Sequence, residues 1–510
     1  MDTTTSATAV RISFIALSLL LSWRLWRFTI RPRLHPDEPK ELPYWIPFIG
    51  HVFSFFVDFN GAIEKGRKHF SPSRDPFAMT VAGQTIYVLT SPDDISGVWK
   101  NSKTISIDPI TMDMYILGGI SGKSREVMFH QHPTARYNEG TGRPLTPTQM
   151  AIELHHQQLH AGLKLDSLLQ DKVIPSCFKK LDMADAMNTA ILSRSEDSVI
   201  ISLHDLCVDI FVTEVTQAYF GPALLQKSPN LISAFLNWEY CSWKFLFMLP
   251  DILARDMTKT KRTIIEAFAN YYRQPRTRRP GSIYFVDSLE DMLAEVGLTT
   301  DEMGKFTLLH YWAVVGNLYK LTFWLMSHLG QNPGVLDQIR EEVSPAVHGE
   351  RIDEAYLLER CPKLSSVISE TLRLTVTSAL ARVILEPTAV GGKLLKPGTK
   401  IMLSIRELHY DAEVWGTKSD ALDANRFIDN PKMSKSPSYR PWGGGHTLCP
   451  GRLFARRSAN AFVAILLTKY DVAVESTTFP RADGGRPSPG IVTLGQGEDL
   501  KVRLIPRNSV

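Results

Sequence analysis

The sequence predicts a mainly α-helical protein with small β-sheets, folded as one large domain behind an N-terminal membrane anchor. Three observations support this prediction: an apolar run near the N-terminus, apolar residues at mostly helical spacing from about residue 150 to 380, and short strand and hairpin patterns on either side of that region. The 510 residues are 44% hydrophobic and 22% charged, which is a globular composition. No internal repeat or low-complexity linker divides the chain, so we expect one catalytic domain.

The N-terminal segment is the predicted anchor. The run from Ile12 to Trp23 carries no charge, and it extends to Ile30 if Arg24 and Arg27 place their charged ends at the membrane interface. A signal peptide is the alternative, but no small-residue cleavage site follows the run. The arginines after the run place the downstream flank in the cytoplasm. We expect a single-pass anchor at residues 1–34, a proline-rich hinge at 35–52 and a catalytic domain at 53–510, at the endoplasmic reticulum with the catalytic domain in the cytosol.

The other elements follow from spacing and turn residues. The long apolar pattern that starts at Asp301 predicts one helix through the middle of the domain, ending near Gly330. The remaining predictions are, in order, a strand at 85–90, a helix from 201 to a stop at Gly221, an amphipathic helix at 361–375, hairpins at 388–408, a helix at 452–470 and a strand-rich end at 488–507.

Charge and cysteine content exclude several functions. The chain has 57 basic and 53 acidic residues, a balance that argues against nucleic acid as a partner. The cysteines are scattered, odd in number and without a CxxC pair, so neither a disulfide framework nor a structural zinc site is expected. This pattern suits a reducing compartment. The five cysteines are Cys177, Cys207, Cys241, Cys361 and Cys449.

One cysteine has an unusual setting, the stretch RPWGGGHTLCPGR at residues 440–452. Cys449 is predicted at a helix N-terminus with Pro450 as the first helical residue, where free N–H groups and the helix dipole favour thiolate. The surrounding glycines leave room for a flat ligand, so a haem iron ligated by this thiolate fits the pattern. A cysteine nucleophile and a buried structural cysteine are the alternatives. The glycines are Gly443, Gly444, Gly445 and Gly451.

The stretch WGGGHTLCPG, residues 442–451, resembles the haem-binding loop of the cytochromes P-450, aromatic-x-x-Gly-x-x-x-Cys-x-Gly. Trp442 stands where the family usually has phenylalanine, and Gly445, Cys449 and Gly451 match. The resemblance implies the cytochrome P-450 fold and haem b, with Cys449 as the axial ligand of the iron.

Two further motifs resemble the same family. In ETLR, Glu370 and Arg373 are three residues apart and share one helix face. The motif precedes Cys449 where the family has its Glu-x-x-Arg helix. DANRFI resembles the family's Pro-Glu-Arg-Phe segment with Asn425 in place of glutamate. The resemblance implies that Arg426 joins Glu370 and Arg373 in a buried triad that supports the haem loop.

The resemblance also places the oxygen-activation site within the long helix, at AVVGN. Most members carry an acid and a threonine there, whereas this chain has Gly316 and Asn317. An asparagine can hold water or a substrate oxygen but cannot titrate, and it could equally be a hydrogen-bonding residue of a core helix. Together with Trp442 and His446, this Gly-Asn pair resembles prostacyclin synthase and the sterol 7-alpha- and 12-alpha-hydroxylases, a group with both hydroxylases and an isomerase.

The haem propionates lack their usual partners. Thr447 stands where the family commonly has arginine or histidine, and beyond the predicted anchor no Trp-x-x-x-Arg helix is found in the N-terminal half. Arg382 is our candidate partner, with a plain strand arginine as the alternative. His446 could donate to a propionate or face solvent. His155 lies on a predicted helix beside a second histidine, and we expect it on a solvated face rather than at a metal.

The resemblance implies a haem-thiolate monooxygenase that hydroxylates or further oxidises a lipophilic small molecule such as a terpenoid, sterol or polyketide. Its partners would be dioxygen and a membrane-bound, NADPH-dependent reductase. The first alternative is a reductase-independent isomerase or dehydratase, which Asn317 favours. The others are a haem sensor or carrier and a membrane scaffold without haem.

Overall fold

A computed structural model describes residues 2–183 and 188–507, and helices make up most of it, with small sheets, as predicted. In the first half the helices are α1 (Asp2–Leu25), α2 (Arg31–Leu34), α3 (Val52–Val57), α4 (Phe59–His69), α5 (Pro92–Lys100), α6 (Asp108–Leu117), α7 (Gly122–Phe129), α8 (Pro147–Leu159), α9 (Leu163–Ser167), α10 (Ile174–Lys180), α11 (Leu203–Val208), α12 (Val215–Phe220), α13 (Ala223–Lys227), α14 (Leu231–Cys241) and α15 (Trp243–Leu246). In the second half they are α16 (Arg255–Tyr272), α17 (Tyr284–Glu295), α18 (Thr300–Val315), α19 (Leu318–Gly330), α20 (Pro333–Val343), α21 (Glu354–Glu359), α22 (Pro362–Thr375), α23 (Ile405–His409), α24 (Ala412–Trp415), α25 (Arg426–Asp429) and α26 (Arg452–Lys469).

Short π-helical and 3₁₀ segments connect some of these helices. The π-helical segments are Trp26–Ile30, Leu168–Val173 and Asp209–Glu214, and the 3₁₀ segments are Arg136–Asn138, Asp251–Leu253, Arg276–Arg278, Ser344–Ala346, Pro431–Lys435 and Gly445–Thr447. The strands are β1 (Lys40–Glu41), β2 (Phe77–Val81), β3 (Gln84–Leu89), β4 (Ile105–Ser106), β5 (Ile191–Arg194), β6 (Val199–Ser202), β7 (Val347–His348), β8 (Arg351–Ile352), β9 (Ala379–Ile384), β10 (Thr388–Val390), β11 (Lys393–Leu395), β12 (Lys400–Ser404), β13 (Tyr470–Val474) and β14 (Lys501–Pro506).

The largest sheet carries one of the site residues. It has six strands in the order β1-β2-β3-β12-β9-β4, with β12 parallel to β3 and antiparallel to β9. In this register Arg382 of β9 lies opposite Ile401 of β12. A four-stranded sheet has the order β13-β14-β6-β5, and the pairs β10–β11 and β7–β8 form two small hairpins. The predicted strand at 85–90 and the hairpin beginning at Thr388 are confirmed.

Helix α19 lies at the centre of the helical core. It packs on α11, α22 and α26, and most of its side chains are buried. Helix α18 packs closely on α16 because Gly304 has no side chain, and a Cβ there would lie 2.7 Å from the Ile265 carbonyl oxygen. The core predicted from apolar spacing between residues 300 and 330 is confirmed.

The single long helix predicted across this core is interrupted. Helix α18 ends at Val315, and α19 begins at Leu318. Asn317 has φ −123° and ψ −34°, outside the α-helical geometry, and its side chain accepts a hydrogen bond from the backbone N–H of Ile491, 3.0 Å away. The prediction of one continuous helix was wrong, because apolar periodicity continues across the break and does not reveal it.

The predicted membrane anchor is not seen. Within residues 2–183 and 188–507, no helix combines the length and the apolar character needed to cross a membrane. The C-terminal end of α1 and the π-helical segment after it contact the segment predicted as a hinge: Arg24 lies over the ring of Trp45 at 3.9 Å, and Arg27 forms a 2.7 Å ion pair with Glu41 of β1.

Candidate active site

Cys449 lies on the wall of a cavity of about 350 Å³. The loop 441–451 and the start of α26 form one wall, and α22 and β9 contribute another. The C-terminal end of α18, the break at Asn317 and residues 489–491 also line it, as do Ile107 and side chains of α8 and α12. The cavity therefore brings together Cys449, Trp442, Arg382 and Asn317, which are far apart in the sequence.

Cys449 is held by the backbone of its own loop, with its N–H donating to the Trp442 carbonyl oxygen at 2.9 Å. Burial raises the pKa of the thiol, while the N–H groups of Gly451 and Arg452 and the charge of Arg452 lower it by less. Helix α26 begins at Arg452, so the prediction that Pro450 is its first residue was wrong. A bound metal ion would displace the thiol proton outright, which makes Cys449 suited to ligate a metal.

The glycines of the loop make room for a tryptophan that sequence reasoning missed. Trp99 of α5 packs against Gly444 and Gly445, and a Cβ at Gly444 would lie 2.6 Å from the indole ring. Gly445 also has φ +60°, a conformation that favours glycine. The guanidinium of Arg440 lies 5.3 Å from the Trp99 ring. The glycines therefore serve contact with another helix as well as access to the cavity, and no motif around Trp99 could have indicated this.

Arg382 is a buried cation on the cavity wall. Its side chain is 3% exposed and donates to Thr447 Oγ1 at 2.6 Å and to the Ala381 carbonyl oxygen at 2.7 Å. Burial lowers the pKa of Arg382 to about 10. No carboxylate of residues 2–183 or 188–507 forms an ion pair with it, so a buried positive charge faces the cavity without a counter-ion. An anionic group of a ligand would fit there. His446, the other candidate partner, is exposed.

Glu370, Arg373 and Arg426 are in contact. Arg373 donates to both carboxylate oxygens of Glu370, one of them at 3.1 Å, and Arg426 donates to the same carboxylate. Glu370 and Arg373 are fully buried. Arg373 also donates to the carbonyl oxygens of His409 at 2.8 Å and Ala421 at 3.2 Å. The triad thus ties α22 to the chain between α23 and α25.

A buried histidine connects this triad to the cysteine loop. His409 accepts a hydrogen bond at Nε2 from the backbone N–H of Arg440, 3.0 Å away, while Arg373 holds its carbonyl oxygen. Burial, reinforced by the charge of Arg373, lowers the pKa of His409 to about 3, so the ring is neutral and can accept. At the same point Tyr439 donates to the Ser369 carbonyl oxygen at 3.0 Å. Sequence reasoning missed His409, because no spacing rule links it to the loop.

The two residues predicted at the oxygen-activation site lie in different surroundings. Asn317 lines the cavity, its Oδ1 accepts from the N–H of Ile491, and its Nδ2 has no hydrogen bond within the described residues. Gly316 is not part of the cavity lining. A Cβ at Gly316 would lie 2.8 Å from the Trp312 ring, so the glycine accommodates that indole.

A second polar group of the cavity comes from α8 and α18. His155 lines the cavity, is 7% exposed and lies 3.0 Å from His310 between Nε2 and Nδ1. Burial lowers the pKa of both rings, that of His310 to about 4. Tyr219 also lines the cavity, and its buried hydroxyl has no partner within the described residues. The expectation that His155 faces solvent was wrong, because Phe285 of α17 stacks on its ring at 3.9 Å and His310 of α18 lies beside it.

The cavity suits a flat, anionic, metal-bearing ligand. It combines a sulfur donor on one wall, loop glycines that add no side chains, a buried guanidinium without a counter-ion and otherwise mainly apolar walls. These are the features that a haem with carboxylate side chains requires. Cys449 would ligate the iron, and Arg382 would meet a propionate.

Comparison with known proteins agrees with this geometry. The family model described as Cytochrome P450 matches residues 222–502, more than half of the chain. The cytochrome P450 monooxygenase poxD of Penicillium oxalicum is 25% identical over 459 residues, which cover 86% of this chain and 88% of that protein. The cytochrome P450 monooxygenase nodJ of Hypoxylon pulicicidum is 24% identical over 91% of this chain and 88% of its own length. Prostacyclin synthase of Rattus norvegicus is 28% identical over 42% of this chain and 47% of its own. The chain belongs to the cytochrome P450 family.

Proposed function

We propose that this chain is a haem-thiolate monooxygenase that oxidises a lipophilic small molecule with dioxygen and electrons from an NADPH-dependent reductase. The observation that carries the proposal is the pairing of Cys449 with the unpaired, buried Arg382 on the walls of one cavity. Haem b, when bound there, would supply dioxygen activation, with the thiolate donating electron density to the iron. The protein supplies the position, the dry surroundings and the hydrogen bonds.

Several residues around the proposed haem site hold Cys449, its loop and Arg382 in place. Cys449 is fixed by the carbonyl oxygen of Trp442, and the loop that carries it is fixed by His409 and by Trp99. Arg382 would neutralise one carboxylate of the cofactor with a guanidinium that Thr447 already orients. The fit of the cofactor is then set before any substrate enters.

The cavity lining supports a lipophilic substrate. Apolar side chains, among them Val314, Leu318, Leu380 and Ile491, form most of the cavity lining. Asn317 is a polar group among them, and its free Nδ2 can donate to a substrate oxygen or to water. Terpenoids, sterols and polyketides all combine a large apolar body with one or few oxygens, and we propose a substrate of this kind.

The test is turnover of the purified, haem-loaded chain with a cytochrome P450 reductase and NADPH. A mixed panel of terpenoids, sterols and polyketides is screened for products that gain one oxygen atom. We expect such a product to require NADPH, dioxygen and reductase together, and to be absent with Cys449→Ser. Product that forms equally well without NADPH would contradict the monooxygenase proposal.

An isomerase is the second candidate, and Asn317 is the observation that favours it. An asparagine cannot deliver a proton by titration, which the usual acid at this place can do. A rearrangement of an already oxygenated substrate needs no external electrons. The same panel extended with endoperoxides and hydroperoxides separates the two candidates: an isomerase converts them without reductase, and a monooxygenase needs it.

We also propose attachment to the endoplasmic reticulum membrane, with the catalytic domain in the cytosol. Support comes from the arginines that follow the apolar run and from exposed apolar side chains, among them Phe14 and Leu17 of α1 and Trp45 and Phe48 beyond it. Fractionation of cells that express the full chain tests this, beside a variant that lacks residues 2–25. The proposal is contradicted if the full chain remains in the supernatant.

A further inference from the structure

A second cluster of buried charge lies close to the cavity without lining it. Lys320 of α19 is fully buried and forms an ion pair with Glu239 of α14, which is 3% exposed. The hydroxyl of Tyr319 donates to the same carboxylate at 3.2 Å. A buried ion pair is expensive to desolvate and is weak evidence for stability alone. No residue of this cluster has a task in the proposed chemistry.

The remaining contacts of Lys320 lead to the cavity wall. Its ammonium group lies 3.3 Å from Thr493 Oγ1 and 3.5 Å from the Ile491 carbonyl oxygen. On the other side of the same residue, the N–H of Ile491 donates to Asn317 Oδ1 at 3.0 Å. Lys320 of α19 therefore contacts the carbonyl oxygen of Ile491, and Asn317, just before α19, accepts from its N–H. Ile491 itself lines the cavity.

The segment 488–493, which we call the wall segment, has little secondary structure to hold it. Between Ser488 and Thr493 the chain forms only an isolated bridge, from Ile491 to Val376. Backbone hydrogen bonds hold it at Gly490, which accepts from the Thr377 N–H at 3.2 Å, at Val492, which donates to the Thr375 carbonyl oxygen at 2.8 Å, and at Thr493, which accepts from the Asp483 N–H at 2.8 Å. The Trp324 indole N–H donates to the Val492 carbonyl oxygen, and Ser488 Oγ donates to the Ile491 carbonyl oxygen at 2.6 Å. The segment is therefore held by single hydrogen bonds rather than by a strand ladder, and Lys320 supplies its charged contact.

We propose that the Glu239–Lys320 ion pair positions the wall segment and thereby determines which ligands fit the cavity and which part of them faces Cys449. Glu239 keeps the ammonium group aligned, and Lys320 holds Ile491 and Thr493. Both are positioning residues, since neither lines the cavity. The inference rests on the proposed function only in taking this cavity as the place where substrate binds.

The pair also couples α14 to the wall. Glu239 is contributed by α14, whereas the wall segment contacts the core through α19 and α22. If α14 moved away, Lys320 would be left as an unpaired buried cation, which is strongly unfavourable. A displacement of α14 would therefore disturb the wall segment at Ile491 and Thr493.

The experiment uses the haem-loaded full chain and the double variant Glu239→Leu with Lys320→Met. The replacement keeps the side chains bulky and apolar and removes both charges, a change that proteins with buried ion pairs often tolerate.

Hydrogen exchange of the wall segment is the first measurement. The second is binding of 1-methylimidazole and 1-dodecylimidazole, followed by the haem spectrum. We expect exchange to be about tenfold faster, because the segment opens locally more often. We expect the ratio of the two dissociation constants to change about fivefold, because the long ligand meets the displaced wall.

Two further variants keep the outcome decisive. Lys305→Met removes a lysine from α18 that is paired with Glu302, and it should leave exchange of the wall segment and the ratio unchanged. Thr493→Val removes only the acceptor at 3.3 Å and should shift both measurements in the same direction as the double variant, by less. If the double variant does not load haem, the same two measurements on Thr493→Val test the proposal.

The proposal is overturned if the double variant, or Thr493→Val in its place, retains wild-type exchange in the wall segment and an unchanged ratio of dissociation constants. Failure of the proposed function has a different signature. A chain without accessible haem shows no spectral shift with either imidazole, and a chain with haem but without monooxygenase activity forms no NADPH-dependent product. In both cases hydrogen exchange still reports whether the ion pair holds the wall segment.

Discussion

Two clusters of buried charge hold two walls of the same cavity, and they differ in the groups to which they donate hydrogen bonds. In the first, Arg373 and Arg426 share Glu370 and donate to the carbonyl oxygens of His409, Ala421 and Trp415, so they organise the chain that leads to the cysteine loop. In the second, a single ammonium group reaches one carbonyl oxygen and one hydroxyl of the wall segment.

This difference separates two tasks. The first cluster ties helices and connecting chain together on the side that would hold the cofactor, and its loss should affect whether haem is bound at all. The second cluster adjusts a segment without regular structure on the side that would meet the substrate. Its loss should affect which ligand fits.

Glu370→Ala should have the largest effect, because it leaves two guanidinium groups without their buried carboxylate. Breaking a buried pair in this way costs about 3–5 kcal/mol. We expect Glu370→Ala, and likewise Arg373→Ala, to lose haem, as measured by the haem-to-protein ratio after purification. Arg273→Ala removes an exposed pair with Asp301 and should leave the ratio unchanged. Normal haem content in either triad variant, or haem loss in the double variant of Glu239 and Lys320, would break the comparison.

Gly444→Ala tests the packing of the loop on α5. The added Cβ would lie 2.6 Å from the Trp99 ring, so the loop or the indole must move. Overpacking of this kind costs about 1–3 kcal/mol. We expect a lower thermal midpoint of the haem-loaded protein and weaker haem retention. Gly334→Ala meets nothing within 4 Å and serves as the control. Equal midpoints for the two variants would show that Trp99 does not constrain the loop.

His409→Gln should have the smallest effect, confined to acidic pH. The pKa of His409 is lowered to about 3 in the folded chain, whereas an unfolded histidine titrates near 6.5. Stability from the neutral ring is fully present above the unfolded value and falls as the pH drops towards the folded value. Between these two pKa values, protonation of His409 in the unfolded chain lowers the free energy of unfolding by about 1.4 kcal/mol per pH unit. We expect denaturant unfolding between pH 6 and 5 to lose less stability per pH unit in His409→Gln, whose side-chain oxygen can still accept from Arg440.

That prediction is contradicted if the slopes of unfolding free energy against pH are identical in the variant and in the unmodified chain. His310, whose pKa is lowered to about 4 by burial, contributes to the same slope in both proteins and cancels in the comparison.

The sequence was informative where the chemistry is local. Cys449 was singled out by its glycine and proline neighbours, and Glu370 and Arg373 by a three-residue spacing that puts them on one helix face. The pair of Glu239 and Lys320 is separated by 81 residues, so no periodicity joins its members. The break at Asn317 was hidden because apolar spacing continues on both sides of it. Trp99, His409 and the wall segment act through tertiary contacts that only the folded chain reveals.

The central claim is that Cys449 ligates a haem iron as thiolate. Its most direct test is the absorption spectrum of the reduced, carbon-monoxide-bound protein, recorded beside Cys449→Ser. We predict a far red-shifted Soret band in the unmodified chain and its loss in the variant. A band at the position of histidine-ligated haem, or a red-shifted band that persists in Cys449→Ser, would contradict the account.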